Sequence, residues 1–421
     1  MRRHSRFYAG LLGLALVATA CGGAPAPVEQ GELSGTTITF NISLAEAEKA
    51  TIDSLIQQFQ QQTGAKVNIS SVTAADLPQK LEVDLGAGSP TIHLFAQDNL
   101  NLRILVDKDL VQDLGDVEIP SEVIPAMIPE PIDGTQYFLP FRPNVRVAYV
   151  NTERFSAAGA SPPTTVEEFR ATAEELKSAA DGEPKVTLSL EPTSGAAAIT
   201  VSEWILSFGG DPLVLNDEGS VAAFEFLQGV WQDDLLARES LQARFDTEVD
   251  YLRGETSWLA QNWPFTSGTF ADEGILELFD VYAGWSGPER AAHVIGGDVL
   301  GIPQGVEGDQ KTAALALADF LMSKETQETL AAEQAWPSIR SDAYAQVPEE
   351  LQQTFDAIQG ALEGGWYRPA VPYWADVDEA INAAIQQVMM DGKDAKSTLD
   401  GLHDQIASAA QDAGAEYPPS G

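Results

Sequence analysis

Leu139-Pro-Phe-Arg-Pro-Asn-Val-Arg-Val-Ala-Tyr-Val-Asn151 decides how the rest of the chain is read. Pro140 and Pro143 deny it a helical start, because proline has no N–H to give and fixes its own φ. Val145, Val147 and Tyr149 then alternate with Arg146, Ala148 and Val150, the period of two that marks a strand. The stretch is expected to be one extended crossing segment. Directly after it come a turn, the pair Pro162-Pro163 and a helix start, where Thr164 and Glu167 have the spacing of a capping box. Val166, Phe169, Ala173 and Leu176 recur on one face of that helix, which is expected to run to about Ala180.

Upstream, Thr37 to Ile42 alternates as a first strand and Ala47 to Gln62 carries Ile52, Leu55, Ile56 and Phe59 at helical spacing. Gly64 ends the helix, and Lys66 to Val72 reads as a second strand. Strand, helix and strand at this spacing imply a parallel unit with a right-handed crossover. A short helix from Leu77 to Leu85 leads through Gly86-Ala-Gly-Ser-Pro90 to a strand from Thr91 to Phe95 and the polar run Ala96-Gln-Asp-Asn99. Open α/β sheets place ligands just past the carboxyl ends of such strands, which makes Asp98 and then Asn99 candidates; either could equally cap the next helix.

With 421 residues the chain exceeds a single-core domain, so two lobes are the default. Arg2, Arg3 and Arg6 precede an apolar run from Phe7 to Ala20, the form of a secretory leader and too short to span a bilayer. Small residues then stand immediately before Cys21, the only cysteine, so no intramolecular disulfide or thiolate zinc site can form. The arrangement resembles a bacterial lipoprotein signal, which implies that Cys21 is lipidated and becomes the mature N-terminus. Gly22 to Ser34 has the composition of a flexible tether, and folded structure is expected from about Thr36.

The second half offers a strand near Lys185 to Leu190, a Gly-Ala-rich approach to a helix from Ile199 to Phe208, and another helix from Val221 to Gln232. In Trp258-Leu-Ala-Gln-Asn-Trp-Pro-Phe265 a short strand runs straight into Trp263, whose ring a following proline would hold as a platform. His293-Val-Ile-Gly-Gly-Asp-Val-Leu-Gly-Ile-Pro303 is a strand in which paired glycines admit either a close ligand or a bulge. Gly364-Gly-Trp-Tyr-Arg-Pro-Ala-Val-Pro-Tyr-Trp374 has too many breakers for a helix and too many aromatics for an ordinary exposed loop. Two helices, Asp376 to Met390 and Ala395 to Ala410, close the chain.

Read together, the crossing segment, Tyr149-x-Asn151, the Pro-Pro-x-Thr-x-x-Glu-Phe run, the Trp263 segment, the return strand ending Ile302-Pro303 and Arg368-Pro-x-x-Pro372 resemble the solute-binding proteins of ABC sugar importers, the maltose- and trehalose-binding family. The resemblance implies a type II periplasmic-binding fold, an α/β architecture of two lobes with a ligand cleft between them. It implies a leader at 1–20, a tether at 21–35, a first lobe of 36–145 and 298–355, and a second of 146–297 and 356–421. A monomer held at the outer face of the cell membrane is expected, with a sugar and the membrane permease as partners. For the site, the resemblance implies a platform from Trp263 and a polar rim from Asp98, Asn99, Asn144, Asp298 and Arg368, with backbone from Gly297. Gln79, Glu46 and Tyr373 are further candidates.

The formal charge of −39, which becomes −42 when the leader's arginines are lost, disfavours nucleic acid and anionic membrane surfaces. An anionic substrate is disfavoured too, although a local arginine can override the mean. No P-loop, dinucleotide fingerprint, Gly-x-Ser-x-Gly or His cluster is present, so neither a cofactor nor a metal is expected. The chain is not expected to be an enzyme. The rival readings are a glycoside hydrolase working through two carboxylates about 5 to 10 Å apart, and a binding protein for another class of solute.

Overall fold

The computed structural model describes residues 31–44, 46–73, 76–99 and 102–418, which leaves the leader and Cys21 outside. Residues 31–35, placed in the tether by the sequence, already pack against the first helix. Gly31 and Leu33 donate their backbone N–H groups to Gln62 and Thr63 O, and Leu33 is buried, so the end of the first helix gathers in the end of the tether.

β1 (Thr37–Asn41), α1 (Glu46–Thr63) and β2 (Lys66–Ser70) form the expected parallel unit, with Thr37 opposite Lys66. α2 (Leu77–Ala87) leads to β3 (Leu94–Asp98), which starts three residues later than Thr91. Thr91 is drawn away from the sheet because its backbone N–H and hydroxyl both donate to the Asp84 carboxylate of α2, at 3.1 and 2.6 Å. Ala96, Gln97 and Asp98 are therefore strand residues. α3 (Leu102–Asp107) follows.

The crossing segment divides into two strands. β4 (Leu139–Asn144) completes the large sheet, and after Val145 and Arg146 β5 (Val147–Asn151) enters a small one. Among the described residues the large sheet runs β2-β1-β3-β8-β4, where β8 (His293–Gly301) returns antiparallel to β3 and β4 and takes β9 (Gly365–Tyr367) on its first half. The small sheet is β6-β5-β7, with β6 at Leu259–Asn262 and β7 at Phe279–Tyr282.

Each sheet carries its own core. Ile52, Leu55 and Phe59 of α1 pack with Phe40, Phe141 and Leu317 on the large sheet. Beside the small sheet, Phe169, Val201, Phe224 and Ile381 come from α5 (Val166–Ala179), α6 (Ala196–Ser207), α7 (Glu218–Gln232) and α13 (Trp374–Ala384). Phe355 and Ile358 of α12 (Gln352–Leu362) pack with Tyr149, Phe270 and Val281, so Phe355 sits with the second core although the sequence grouped it with the first.

Three local expectations shift. The stretch between Asn151 and the proline pair, expected as a turn, holds a short helix, α4 (Thr152–Ala158), ahead of α5. Thr165, not Thr164, caps α5 by accepting from Glu168 N, and the Glu168 carboxylate reaches back to Thr164 N at 2.8 Å: the box is displaced by one residue. Lys185 to Leu190 makes only a single bridge, Val186 to Leu259. Its other groups are engaged elsewhere, Leu188 N with Ser240 Oγ and the hydroxyls of Thr187 and Ser189 with Glu248 of α8 (Phe245–Arg253).

Candidate functional site

The carboxyl end of β3 meets the first half of β8 and the residue after β9. Asp98 stands opposite Asp298 across the β3–β8 pair, and Asp298 in turn lies opposite Arg142 of β4. Arg142 donates to Asp298 at 2.5 Å and to Glu48 at 3.0 Å, with its guanidinium carbon 4.3 Å from the Trp336 ring centroid. Burial works against that charge, but Asp298, Glu48 and Asp98 outweigh it and hold the guanidinium above its ordinary value. Asp298 thus reads as the anchor of a structural ion pair, which takes it out of the free polar rim.

Arg368 joins the two chain halves more directly. β9 pairs in parallel with His293–Ile295, which delivers Arg368 to the end of β3. Its Nη2 donates to Asn99 Oδ1 at 2.5 Å and to Asp98 Oδ1 at 3.4 Å, while Asn99 Nδ2 donates to Ile295 O at 2.9 Å. The Arg368 side chain is only 3% exposed, and its Nε has no partner. Burial lowers its pKa, with Asp98 and Asp378 pulling the other way. Asp98, Asn99 and Arg368, singled out in the sequence, are therefore brought together.

Two adjoining cavities share Arg103 and Arg368. The larger, about 300 Å³, has one wall from α3 (Arg103 and Ile104) and the other from the start of α6 (Gly195, Ala198 and Ile199) and from Trp374 and Asp378 of α13. The smaller, about 170 Å³, lies toward Pro129–Asp133 and Tyr367. The pair falls in the size range of small-molecule sites, roughly 300 to 1,000 Å³. Leu102 and Leu105 of α3 belong to a core shared with Phe95 and Val299, whereas α6 and α13 belong to the second core, so the walls come from both halves of the chain.

Trp374 is the aromatic face of this cavity, with Arg368 Cζ 5.7 Å from its ring centroid, within cation–π range. Asp378 follows one helical turn later, so both point the same way. Its Oδ1 is buried without a partner, and burial pushes its pKa up against the pull of Arg368. Sequence reading missed Asp378, and saw Trp374 only as one aromatic among four. The i, i+4 spacing of a tryptophan and a carboxylate at a helix start was the available signal.

Other expected residues lie elsewhere. Trp263 is 8% exposed and lines neither cavity: it packs with Val294 and behind Ile199, edge-on to Phe245 at 5.4 Å, in the space a side chain at Gly296 would take. Tyr373 is buried beside Tyr417, ring centroids 6.0 Å apart, while its neighbours Pro372 and Trp374 face the cavity. Gly297 has φ +94°, and a Cβ there would stand 1.9 Å from Arg142 O, so the close approach it permits is to β4. Asn144 ends β4 opposite Gly296 with its Oδ1 on Val145 N. Gln79 is exposed on α2, and Glu46 opens α1 with its side chain outside the described residues. No group of His, Cys, Asp and Glu among the described residues could hold a metal ion, and no helix among them is long and apolar enough to cross a membrane.

No curated protein matches the chain by sequence. Solved structures match it by shape. Maltose-bound MalE3 of T. maritima superposes with a TM-score of 0.75 at 18% identity, over 89% of this chain and all of that one. The acarbose-binding GacH receptor of Streptomyces glaucescens gives 0.74 at 17%, over 90% of this chain and 99% of its own. The cyclic α-maltosyl-1,6-maltose binding protein of Arthrobacter globiformis gives 0.75 at 16%, with 90% and 99% covered. These likenesses fix the two-lobed type II periplasmic-binding fold. The sequence profile of the bacterial extracellular solute-binding proteins matches residues 54–356, well over half of the chain. That family is one of extracytoplasmic binding proteins rather than enzymes, as the missing catalytic motifs lead one to expect, and the chain belongs to it.

Proposed function

We propose that this protein is the substrate-binding component of an ABC importer that captures a short sugar, with α-linked disaccharides such as maltose and trehalose the first to test, and hands it to a membrane permease. The observation that carries the reading is the cavity between the two cores, where Trp374 faces the buried guanidinium of Arg368. A pyranose has an apolar face for the ring and a rim of hydroxyls for Arg368, Asp98 and Asn99. The maltose, acarbose and cyclic maltosyl-maltose of the structural neighbours support a carbohydrate. A sugar held by both walls favours their approach, so closure about Arg146 and Gly296 accompanies binding. Lipidation of Cys21 tethers the mature protein to the membrane. Calorimetric titration with a panel of mono- and disaccharides tests the reading, together with small-angle scattering for a smaller radius of gyration at saturation. Absence of binding across the panel, with the protein folded, overturns it.

A further inference from the structure

The charges around the larger cavity do not cancel. Its two guanidinium groups are already engaged: Arg103 Nε donates to Asp107 at 2.6 Å and its Nη1 to Asp133 at 3.2 Å, while Arg368 Nη2 lies 3.4 Å from Asp98. Asp378 lines the same cavity without such a pairing. Its Oδ1 accepts no hydrogen bond, and Arg368 acts on it only through space. Two cations therefore stand among four carboxylates, Asp98, Asp107, Asp133 and Asp378. The start of α6 on the opposite wall, which no side chain caps, offsets about half a charge of the difference. What is left unmatched in the cavity is negative, the same sign as the whole chain.

The ring beside that carboxylate is the second observation. Trp374 precedes Asp378 by one turn of α13, and both line the cavity. Side chains so placed stand about 5 to 6 Å apart at Cβ and share a helix face. An indole face accepts the apolar side of a pyranose and also attracts a cation. A pyranose lying on Trp374 therefore brings one of its ring substituents to Asp378. A hydroxyl at that point donates a single neutral hydrogen bond. An ammonium group donates there as well and supplies the missing charge, and a bond between two ionised partners is roughly twice as strong as a neutral one. Half-burial disfavours the bare carboxylate, which the cation would relieve.

We infer that the preferred ligand is an amino sugar, a short saccharide whose ammonium group pairs with Asp378 while its ring rests on Trp374. The inference rests on the sugar-binding reading above and narrows it. The negative field of the whole chain draws such a ligand toward the cavity, an attraction that added salt screens, whereas the contact with Asp378 decides its affinity once inside.

Calorimetry on the mature protein at fixed ionic strength, at about pH 6 where such an amine is protonated, tests this. Maltose, trehalose and cellobiose are compared with their amino-deoxy analogues and with the N-acetylated forms of those analogues, which keep the nitrogen and lose the charge. At least one amino sugar should bind about tenfold or more tighter than both of its neutral counterparts. Asp378→Asn should abolish that ratio, and Asp378→Ser repeats the test with a smaller side chain, circular dichroism and melting temperature reporting the fold. Glu379→Gln removes an exposed charge one residue further along the same helix and should leave the ratio unchanged, which separates the pairing from the general field. If the neutral sugars bind as well as or better than the amino sugars, the amino-sugar inference is overturned and the sugar reading stands. A preference that survives both Asp378 variants, or that Glu379→Gln removes equally, overturns it too. If neither class binds to the folded protein, both readings fall.

Discussion

Arg146 and Glu203 form an ion pair almost out of reach of water, with side chains 1% and 5% exposed. Arg146 Nη1 also donates to Thr200 Oγ1 at 2.9 Å, and Val294 N donates to Glu203 Oε1 at 3.0 Å. One carboxylate of α6 thus holds both the chain leaving the large sheet, at Arg146, and the strand returning to it, at Val294. Ala198 and Ile199, on the turn before Thr200 and Glu203, line the cavity. One wall of the cavity and both crossing strands are therefore joined through the same helix.

Removing one partner of this pair strands the other charge in the interior. Glu203→Ala is expected to cost about 3 to 5 kcal/mol, and replacing both groups by apolar ones, Arg146→Met with Glu203→Leu, to recover most of it. Urea unfolding followed by tryptophan fluorescence measures both. A single variant as stable as the parent contradicts the assignment.

Glu248 makes stability depend on pH. Burial pushes its pKa up from 4.5 to about 7, against the hydrogen bonds from Thr187 and Ser189 and the charge of Arg146. Across that interval the folded state holds a proton that the unfolded chain has released, so this contribution is fully present below pH 4.5 and is lost as pH rises toward 7. The shift corresponds to about 3 kcal/mol. Glu248→Gln should therefore be more stable than the parent at pH 8 and nearly equal to it near pH 4.5, by unfolding at both pH values. Equal differences at both would rule the account out.

Gly297→Ala places a Cβ against Arg142 O in a backbone conformation that L-residues avoid, and should lower stability by at least roughly 2 kcal/mol. Gly86→Ala, in α2 with open space around it, should leave the melting temperature unchanged or raise it slightly. Comparable losses in the two variants would show that the pairing of β4 with β8 does not depend on Gly297.

Local periodicity made β1, α1, β2 and the late helices legible, because each buries one face against a neighbour close in sequence. The crossing at 139–151 was legible as extended chain, but not as two strands in two sheets. That division depends on Arg146 meeting Glu203, fifty-seven residues away. Trp263 and Trp374 show the same limit from the other side: both follow or accompany prolines among aromatics, yet which ring faces the cavity is set by Gly296, which leaves room for Trp263 to pack inward. Asp98, Asn99 and Arg368 could be named from strand ends and the loop resemblance. Their convergence comes from β9 pairing with β8, and a three-residue strand leaves little trace in sequence.

Cys21 lies outside the described residues, and its lipidation is tested in cells. Cys21→Ala should release the protein from the membrane into the surrounding medium, since the multiple acyl chains of a lipoprotein, not one, give stable attachment. Full membrane retention of the variant would count against the anchor.

The site assignment separates the two tryptophans. Trp374 lines the cavity beside the Arg368 guanidinium, so Trp374→Ala removes the surface on which a sugar ring would rest and should weaken binding with the fold intact. Arg368→Ala and Asp98→Ala each remove a charged hydrogen-bonding group, at about 1.5 to 3 kcal/mol, which corresponds to roughly 10- to 150-fold in affinity. Trp263→Ala empties a buried position between Val294, Phe245 and Ile199, so its first effect is a cavity in the core, on the order of 3 to 5 kcal/mol of stability. Any change in affinity then comes through Ile199. Calorimetry and thermal melting on the four variants, with a sugar the parent binds, distinguish the roles. Parent-like affinity in both Trp374→Ala and Arg368→Ala would place the ligand outside this cavity, and a loss of affinity in Trp263→Ala without a loss of stability would move the platform back to Trp263.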